Sequence, residues 1–390
     1  MGVFIFLILI VGLAFFKQAS REQSKTKASN SADVQSDNQD KVSFGVVIGA
    51  GLDKGNPAKQ YVPLNRVKKA GFSQVRLSLN WHNVEPTQGT YNWVYLDNMM
   101  RAVKKSGLEP ILLANTTPAW ARREICKKSM YCPSENPEYY AKFVAAAVER
   151  YKKYDVAAWE IWNEQNGNNF WKPTPEPDRY VGLLKAAYVA VKKVDSDAVV
   201  LVGGLSGDAS DTIGPNFADP RTYLTKLYAA GLHGYFDGLA YHPYMPTIGP
   251  ITNNVPNNGW IKINNTSKSI RKIMSTNGDT DKGIWITEFG VPTGGSGPLV
   301  SDLSNVPDRA DHVSLEVQAE LAQAIVDDIQ KSPWIRSFIW YTDIDNTSAS
   351  MNTGAAYGIW RSNGEPKPVL KVLQKGIEDA RSSPSVEAAR

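Results

Sequence analysis

The sequence predicts one α/β domain, a (β/α)8 TIM barrel, on three observations. Eight short apolar runs recur along the chain, with helical stretches between them. The runs are apolar throughout instead of alternating, as expected of strands covered on both faces. The rival α/β solution, a doubly wound open sheet, usually carries a Gly-rich phosphate turn after its first strand. Here Gly45, Gly49, Gly51 and Gly55 are scattered, and the spacing G-x-G-x-x-G is absent.

The elements follow in order. Val42–Ala50 (VSFGVVIGA) and Gln74–Asn80 (QVRLSLN) read as the first two strands. Tyr95–Ser106 reads as an amphipathic helix, with Leu96, Met99, Met100 and Val103 on one face. Glu109–Asn115 is strand three, and the long helix Pro137–Tyr151 leads into strand four, Val156–Glu164 (VAAWEIWNE). Asp178–Val194 is helical, and Ala198–Gly204 is strand five with a Gly-rich loop behind it. Pro220–Ala230 is a helix before strand six, Phe236–Tyr244 (FDGLAYHPY). Ile261–Asn277 reads as largely helical, and Lys282–Gly290 (KGIWITEFG) is strand seven. Helix Leu315–Lys331 precedes strand eight, Ser337–Asp343 (SFIWYTD), and helix Lys367–Ala380 closes the domain.

The ends of the chain read differently. Gly2–Phe16 (GVFIFLILIVGLAFF) is an unbroken apolar run, of a length that suits a signal-peptide core or a short membrane anchor. No basic residue precedes it and no clear small-x-small cleavage site follows, so both options stand. Lys17–Lys41 has almost no large apolar residue and reads as a disordered tether. The expected organisation is a signal peptide or membrane anchor at 1–16, a linker at 17–41, a catalytic barrel at 42–380 and a tail at 381–390. An extracytoplasmic protein, secreted or membrane-anchored through residues 2–16, is expected.

Composition narrows the function. Net charge is +4, from 43 basic and 39 acidic residues in 390, too small an excess to imply nucleic acid as a partner. Eleven Trp and 17 Tyr suit either a large core or a carbohydrate ligand, whose flat C–H faces stack on aromatic rings. Cys126 and Cys132 are the only cysteines. They can bridge into a small loop in an oxidising compartment or stay thiols in a reducing one. Their spacing fits no common zinc pattern, and the four His form no His-x-His pair. No metal or other cofactor is expected, and a monomer is.

Barrel enzymes place their chemistry at the C-terminal strand ends. Strand four ends in Trp162-Asn163-Glu164 and strand seven in Thr287-Glu288-Phe289-Gly290. Ionised carboxylates do not belong on buried apolar strands unless something uses them. The two glutamates are 288 − 164 = 124 residues apart, about three βα units, so in a closed barrel their strands face each other across the mouth. Glycosidic cleavage needs two such carboxylates, one to protonate the leaving oxygen and one to attack the anomeric carbon. Two structural carboxylates paired to Arg or Lys are the plainer alternative.

Trp159–Asn166 (WEIWNEQN) and Trp285–Gly290 (WITEFG) resemble the two signature strands of the clan of retaining barrel glycosidases that contains cellulases and β-xylosidases. Within it, residues 42–375 most resemble glycoside hydrolase family 39 and its bacterial exopolysaccharide-hydrolase relatives. The resemblance implies a β-glycosidase acting by double displacement on a polysaccharide or oligosaccharide, with Glu164 as acid/base and Glu288 as nucleophile. That family usually has Pro where this chain has Gln165. By the same resemblance, Arg76 in strand two holds Glu288 ionised. Trp340 is the sugar platform, before a non-proline cis peptide at Trp340–Tyr341.

Further candidates come from the strand ends themselves. Asn163 is placed to donate to the sugar 2-hydroxyl, or else caps its strand. His242 and Tyr244 hold Glu288 or the sugar, unless His242 is a satisfied structural residue. Trp81, Trp120 and Trp171 line outer subsites or are plain packing. Glu160 shares the face of Glu164 by alternation but lies deeper, as a paired structural carboxylate. Gly294–Asp311 is a candidate cover for the cleft. Asn115, Asn264, Asn265 and Asn346 carry weak glycosylation sequons. The competing function is a non-catalytic carbohydrate-binding protein on the same barrel.

Overall fold

A computed structural model describes residues 41–48, 57–209, 215–245, 248, 258–264, 267–346 and 356–382. The apolar run Gly2–Phe16, most of the tether, Asn265 and residues 383–390 lie outside the described residues. The chain divides into two units, Val42–Ala380 and the two ends, Met1–Lys41 with Arg381–Arg390. Among the described residues, no helix is long and apolar enough to cross a membrane.

The first unit is a closed parallel barrel. Its strands are β1 (Ser43–Val47), β2 (Gln74–Asn80), β3 (Glu109–Asn115), β4 (Ala158–Asn163), β5 (Val200–Ser206), β6 (Gly238–His242), β7 (Gly283–Phe289) and β8 (Ile335–Trp340). They close in the order β1-β8-β7-β6-β5-β4-β3-β2, every pair parallel. Besides a one-turn helix at Trp81–Val84, the helices between and after them are α1 (Pro57–Lys69), α2 (Val94–Ser106), α3 (Pro137–Tyr151), α4 (Pro177–Val194), α5 (Pro220–Ala229), α6 (Ile270–Thr276), α7 (Leu315–Gln330) and α8 (Val369–Ser382). The predicted fold class is correct; the second and third strands have the predicted bounds, and the boundaries of the other six shift by one to three residues.

Helix starts follow capping chemistry. Asn136 accepts from the Glu138 amide ahead of Pro137, and Asp219 does the same for Arg221 ahead of Pro220. Ser269 and Ser314 cap α6 and α7. The sequence reading missed α1, which carries Pro63 and a basic stretch in place of a clean apolar stripe. It also overextended α6, whose preceding residues form turns and a buried lysine site.

Alternation along each strand builds two cores. Outward residues such as Trp159, Ile161, Ile286 and Phe338 pack against the helices. Inward residues Ile111, Ala158, Leu201, Ala240 and Ile339 fill the barrel axis. Above that apolar layer, towards the strand C-termini, the interior turns polar. Arg76, Glu160, Asn163, His242 and Thr287 are all buried there.

Trp81 and Trp171 belong to the outer core, not to outer subsites. Both are fully buried, Trp81 stacked on Phe143 and Trp171 edge-on to Trp162 and Tyr180. Trp120 packs on Trp81 and Tyr139, and its indole donates to the Glu85 carbonyl at 3.0 Å. These rings are large apolar bodies on the connections that follow β2, β3 and β4, where burial is worth more than exposure. Cys126 and Cys132 form a disulfide, closing a short loop after β3. Gly294–Asp311 carries one strand of a two-residue parallel pair, Leu299–Val300 with His312–Val313.

Candidate active site

The mouth of the barrel holds a pocket of about 640 Å³. Arg76, Asn163, Glu164, Tyr244 and Glu288 line it, as do His82, Tyr131, Phe170, Asp208, Tyr341 and Tyr357. Trp81, Trp120, Trp171, Trp340 and the segment Gly294–Asp311 contribute nothing to the described wall.

Two local breaks in alternation aim the glutamates. In β4, Ala158 and Glu160 face inward and Trp159 and Ile161 outward. Trp162 then takes φ 73°, a left-handed conformation rare for a bulky residue. Its ring stays outward, against Tyr140 and Trp171, and Asn163 turns inward in its place. Glu164, at φ 45°, follows at the rim. Glu160 and Glu164 therefore do not share a face by simple alternation. In β7, Ile286 pairs with Phe338 and Phe289 with Trp340, so three β7 residues oppose two on β8. That bulge lies at Thr287–Glu288 and turns Glu288 into the mouth.

Arg76 organises the floor. Its Nε and one terminal nitrogen donate to Glu160, at 2.6 and 3.0 Å, and that terminal nitrogen also donates to Asn163 at 2.9 Å. The other terminal nitrogen donates to Glu288. Glu160 is wholly buried and also accepts from the Gly204 amide and the Thr287 hydroxyl. It is a structural carboxylate, matched to a buried guanidinium.

The Tyr244 hydroxyl donates to Glu288 Oε2 at 3.0 Å. His242 lies between the glutamates. Its Nδ1 is 2.9 Å from Glu164 Oε1, and its Nε2 is 3.1 Å from the Thr287 hydroxyl. The single Thr287 proton goes to Glu160, so His242 Nε2 carries a hydrogen and donates to Thr287. Nδ1 then shares a proton with Glu164. Gly204 makes room for this ring, since a Cβ there would lie 2.1 Å from His242 Nε2. Gly203 and Gly204, predicted as the end of strand five, lie within β5, and Gly207 follows the strand.

The environments push the carboxyls apart. Burial raises the pKa of Glu164; the His242 hydrogen bond opposes this, but the charges of Glu288 and Asp208 add to it, and the net shift is upward. Burial also acts on Glu288, but His242, Arg76 and the Tyr244 hydrogen bond outweigh it and hold the group low. His242 is pushed down by burial and raised further by Glu288 and Glu164, for a net rise.

Glu164, His242 and Glu288 each offer one ligand atom, all within 4.8 Å of one another. That donor set can hold a divalent cation in principle. Here both His242 nitrogens and both Glu288 oxygens already have protein partners. The arrangement is instead that of two carboxyl groups on either side of a cleft, one held above and one below the ordinary carboxylate range.

Trp340 is not the platform. Ser337 and Ile339 point inward, so the pleat sends Trp340 outward with Phe338 and leaves Tyr341 facing the pocket. The Trp340 indole donates to the Tyr357 carbonyl at 2.8 Å, and the non-proline cis bond is Tyr341–Thr342. Tyr131 and Phe170, an edge-to-face pair with centroids 5.1 Å apart, form the wall above β3 and β4. The sequence reading also missed Asp208, which the strand-end rule would have found after β5.

Residues 35–320 match the family model described as Cellulase (glycosyl hydrolase family 5). The fold resembles a family 39 glycoside hydrolase from Bacteroides cellulosilyticus WH2, with TM-score 0.61 and 22% identity. That match covers 87% of this chain and 64% of the other, so the chain spans less than two thirds of that relative's length. A GH5_18 variant from Streptomyces cattleya, solved with Manb1-4GlcNAc, matches at TM-score 0.65 and 14% identity over 88% of this chain and 82% of that one. A monomeric beta-xylosidase from Caulobacter crescentus CB15 matches at TM-score 0.58 and 16% identity over 86% and 68%. At these identities the structural likeness is one of fold, and it includes the family 39 resemblance of the sequence. With a family model matched across most of the barrel, the chain belongs to the cellulase family, glycosyl hydrolase family 5.

Proposed function

We propose that this protein is a retaining β-glycosidase that hydrolyses O-glycosidic bonds in a polysaccharide or oligosaccharide. The observation that carries the reading is the pair Glu164 and Glu288, with one carboxyl oxygen of each within 4.8 Å of the other and pKa values displaced in opposite directions. Inverting enzymes hold their carboxyls about 6.5–9.5 Å apart to admit a water, and retaining ones about 5 Å apart. Glu288, kept charged by Arg76 and Tyr244, attacks the anomeric carbon. Glu164, kept protonated by burial, gives its proton to the leaving oxygen. Once Glu288 is esterified its charge is gone, so Glu164 loses a proton more readily and activates water. The Asn163 carbonyl oxygen is engaged by Arg76, which leaves its amide N–H groups for a sugar hydroxyl. Tyr341 is the ring under the sugar at the point of cleavage.

The assignment predicts a bell-shaped kcat/KM profile. Its acidic limb is Glu288, below the ordinary carboxylate range, and its basic limb is Glu164, above it. Proton NMR of the first product should show the anomeric configuration of the substrate. Glu164→Gln should lose about 10²–10⁴-fold on substrates with poor leaving groups and far less on an activated aryl glycoside. First-formed product of inverted configuration, or a Glu164→Gln variant with full turnover of natural glycosides, would refute the mechanism. A non-catalytic binder would be unaffected by Glu164→Gln in any assay of turnover, because it has none.

An extracytoplasmic location belongs to the same proposal. The apolar run Gly2–Phe16 and the Cys126–Cys132 disulfide support it, since disulfides persist in oxidising compartments. Fractionation of the native host should recover the protein outside the cytoplasm, and recovery inside with reduced cysteines would overturn it.

A further inference from the structure

We infer that Asp208 reads the charge of the sugar, so that the cleft accepts neutral or amino-sugar units and excludes uronic acids. The inference rests on the glycosidase reading of the site.

Asp208 lies just beyond β5 and lines the cleft beside Glu164, on whose charge it acts. One of its oxygens accepts from the Ser206 hydroxyl. Among the described residues the other takes no hydrogen bond, so it is free to meet a ligand. The segment that carries it is held far more firmly than a surface loop requires. Lys262, only 5% exposed, donates to the carbonyls of Gly207 at 2.7 Å and Ala209 at 3.1 Å, the two residues flanking Asp208. Its charge is balanced by Asp219 at 3.2 Å. A buried ammonium is costly unless every donor is used, so its place under this segment fixes the backbone on both sides of Asp208. Asn166 adds a second clamp. Its side chain accepts from the Ser206 amide and donates to the Ser206 carbonyl. The Gly207 amide donates to the His242 carbonyl, which ties the segment to the residue that bridges the two glutamates.

The charge balance of the cleft points the same way. Its described wall carries the carboxylates Asp208 and Glu288, and Glu164 held towards its neutral form, against Arg76 and His82. Arg76 is engaged by Glu160, Asn163 and Glu288. Burial, helped by Arg122, lowers the pKa of His82, which is therefore uncharged at neutral pH. Segments 210–214, 246–247, 249–257 and 347–355, which follow β5, β6 and β8, contain Asp211 and no Lys or Arg. Segment 49–56, after β1, contributes one of each sign, Asp53 and Lys54. Among the described residues of this wall a uronate would meet no free cation and would face Asp208. A hydroxyl or a protonated amine would find an oriented acceptor.

The test is calorimetric binding to the full-length Glu164→Gln protein, which holds a ligand without cutting it. The probes are tetramers of β-1,4-linked glucose, glucosamine and glucuronate at low salt. The glucosamine tetramer should bind on the order of 100-fold more tightly than the glucuronate tetramer. That factor follows from exchanging attraction for repulsion about 3 Å from a partly exposed charge in an open, water-filled cleft, at a dielectric of about 80. Adding Asp208→Asn should shrink the ratio about tenfold or more, while the thermal midpoint stays close to that of the parent. Equal binding of the charged tetramers overturns the inference, as does a ratio unmoved by Asp208→Asn or binding of no tetramer. The glycosidase reading fails separately, if the wild-type protein turns over no β-glycoside while the charge ratio persists.

Discussion

Glu288→Ala should lower kcat/KM by roughly 10⁴- to 10⁶-fold, the scale seen when a group that acts as a unit with its partners is removed. The loss should fall on kcat, because Glu288 makes its bond only as the transition state forms. The cavity left by the side chain is bordered by Arg76, Tyr244 and His242, all suited to hold a small anion. Added azide should therefore restore part of the activity on an activated aryl glycoside. The glycosyl azide it forms should have inverted configuration, because the azide attacks from the face that Glu288 occupied. Activity within about tenfold of wild type would remove Glu288 from the role of nucleophile.

Arg76→Ala should have the next largest effect, and it should act twice. Glu160 is wholly buried and takes two hydrogen bonds from Arg76, so the variant leaves a buried carboxylate without its cation. Breaking a buried pair from one side costs about 3–5 kcal/mol, which denaturant unfolding would register as a lower midpoint. Arg76 also holds Glu288 low. A group held low functions above its folded pKa, so losing the cation raises that pKa and moves the acidic limb of the rate profile upward. The basic limb, which belongs to Glu164, should move much less. Arg76→Lys keeps the charge but not the planar fork, so it should recover part of the acidic limb and little of the stability. An acidic limb unmoved in Arg76→Ala would separate Arg76 from the ionisation of Glu288.

The shared proton between His242 and Glu164 gives the cleft a further property. His242 is fully buried and its Nδ1 lies 2.9 Å from Glu164 Oε1 at the rim, so a proton has a direct path between them that does not cross solvent. Thr287 and Glu160 orient the ring from below. The polar layer that sets the catalytic charges is thus continuous from Arg76 to Glu164, and every member sits on a barrel strand or directly at its end.

Which residues were legible beforehand follows from what carries the signal. The barrel could be read because eight covered strands leave apolar runs of the right length, a property of composition along the chain. Glu164 and Glu288 could be read because a carboxylate at the end of such a run conflicts with its surroundings unless it is used. The same test would have flagged Asp208, which follows Leu205-Ser206-Gly207 at the end of β5. Arg76 and Glu160 stood out for the same reason, as charges inside apolar strands.

What the chain determined by itself was therefore the order of elements, the barrel and the strand ends that bear carboxylates. These depend on local patterns of two or four residues. Tertiary structure decided where the side chains point. One left-handed residue, Trp162, and one bulge, at Thr287–Glu288, reset the alternation that sequence reasoning extrapolates. The inward register of Ser337 and Ile339 put Tyr341 in the pocket and Trp340 in the core. The large rings of Trp81, Trp120 and Trp171 went to packing, because an aromatic's address depends on which surface passes over it. Direction in a strand has a period of two residues, so a single irregularity reverses it, and irregularities are settled by contacts between strands distant in sequence.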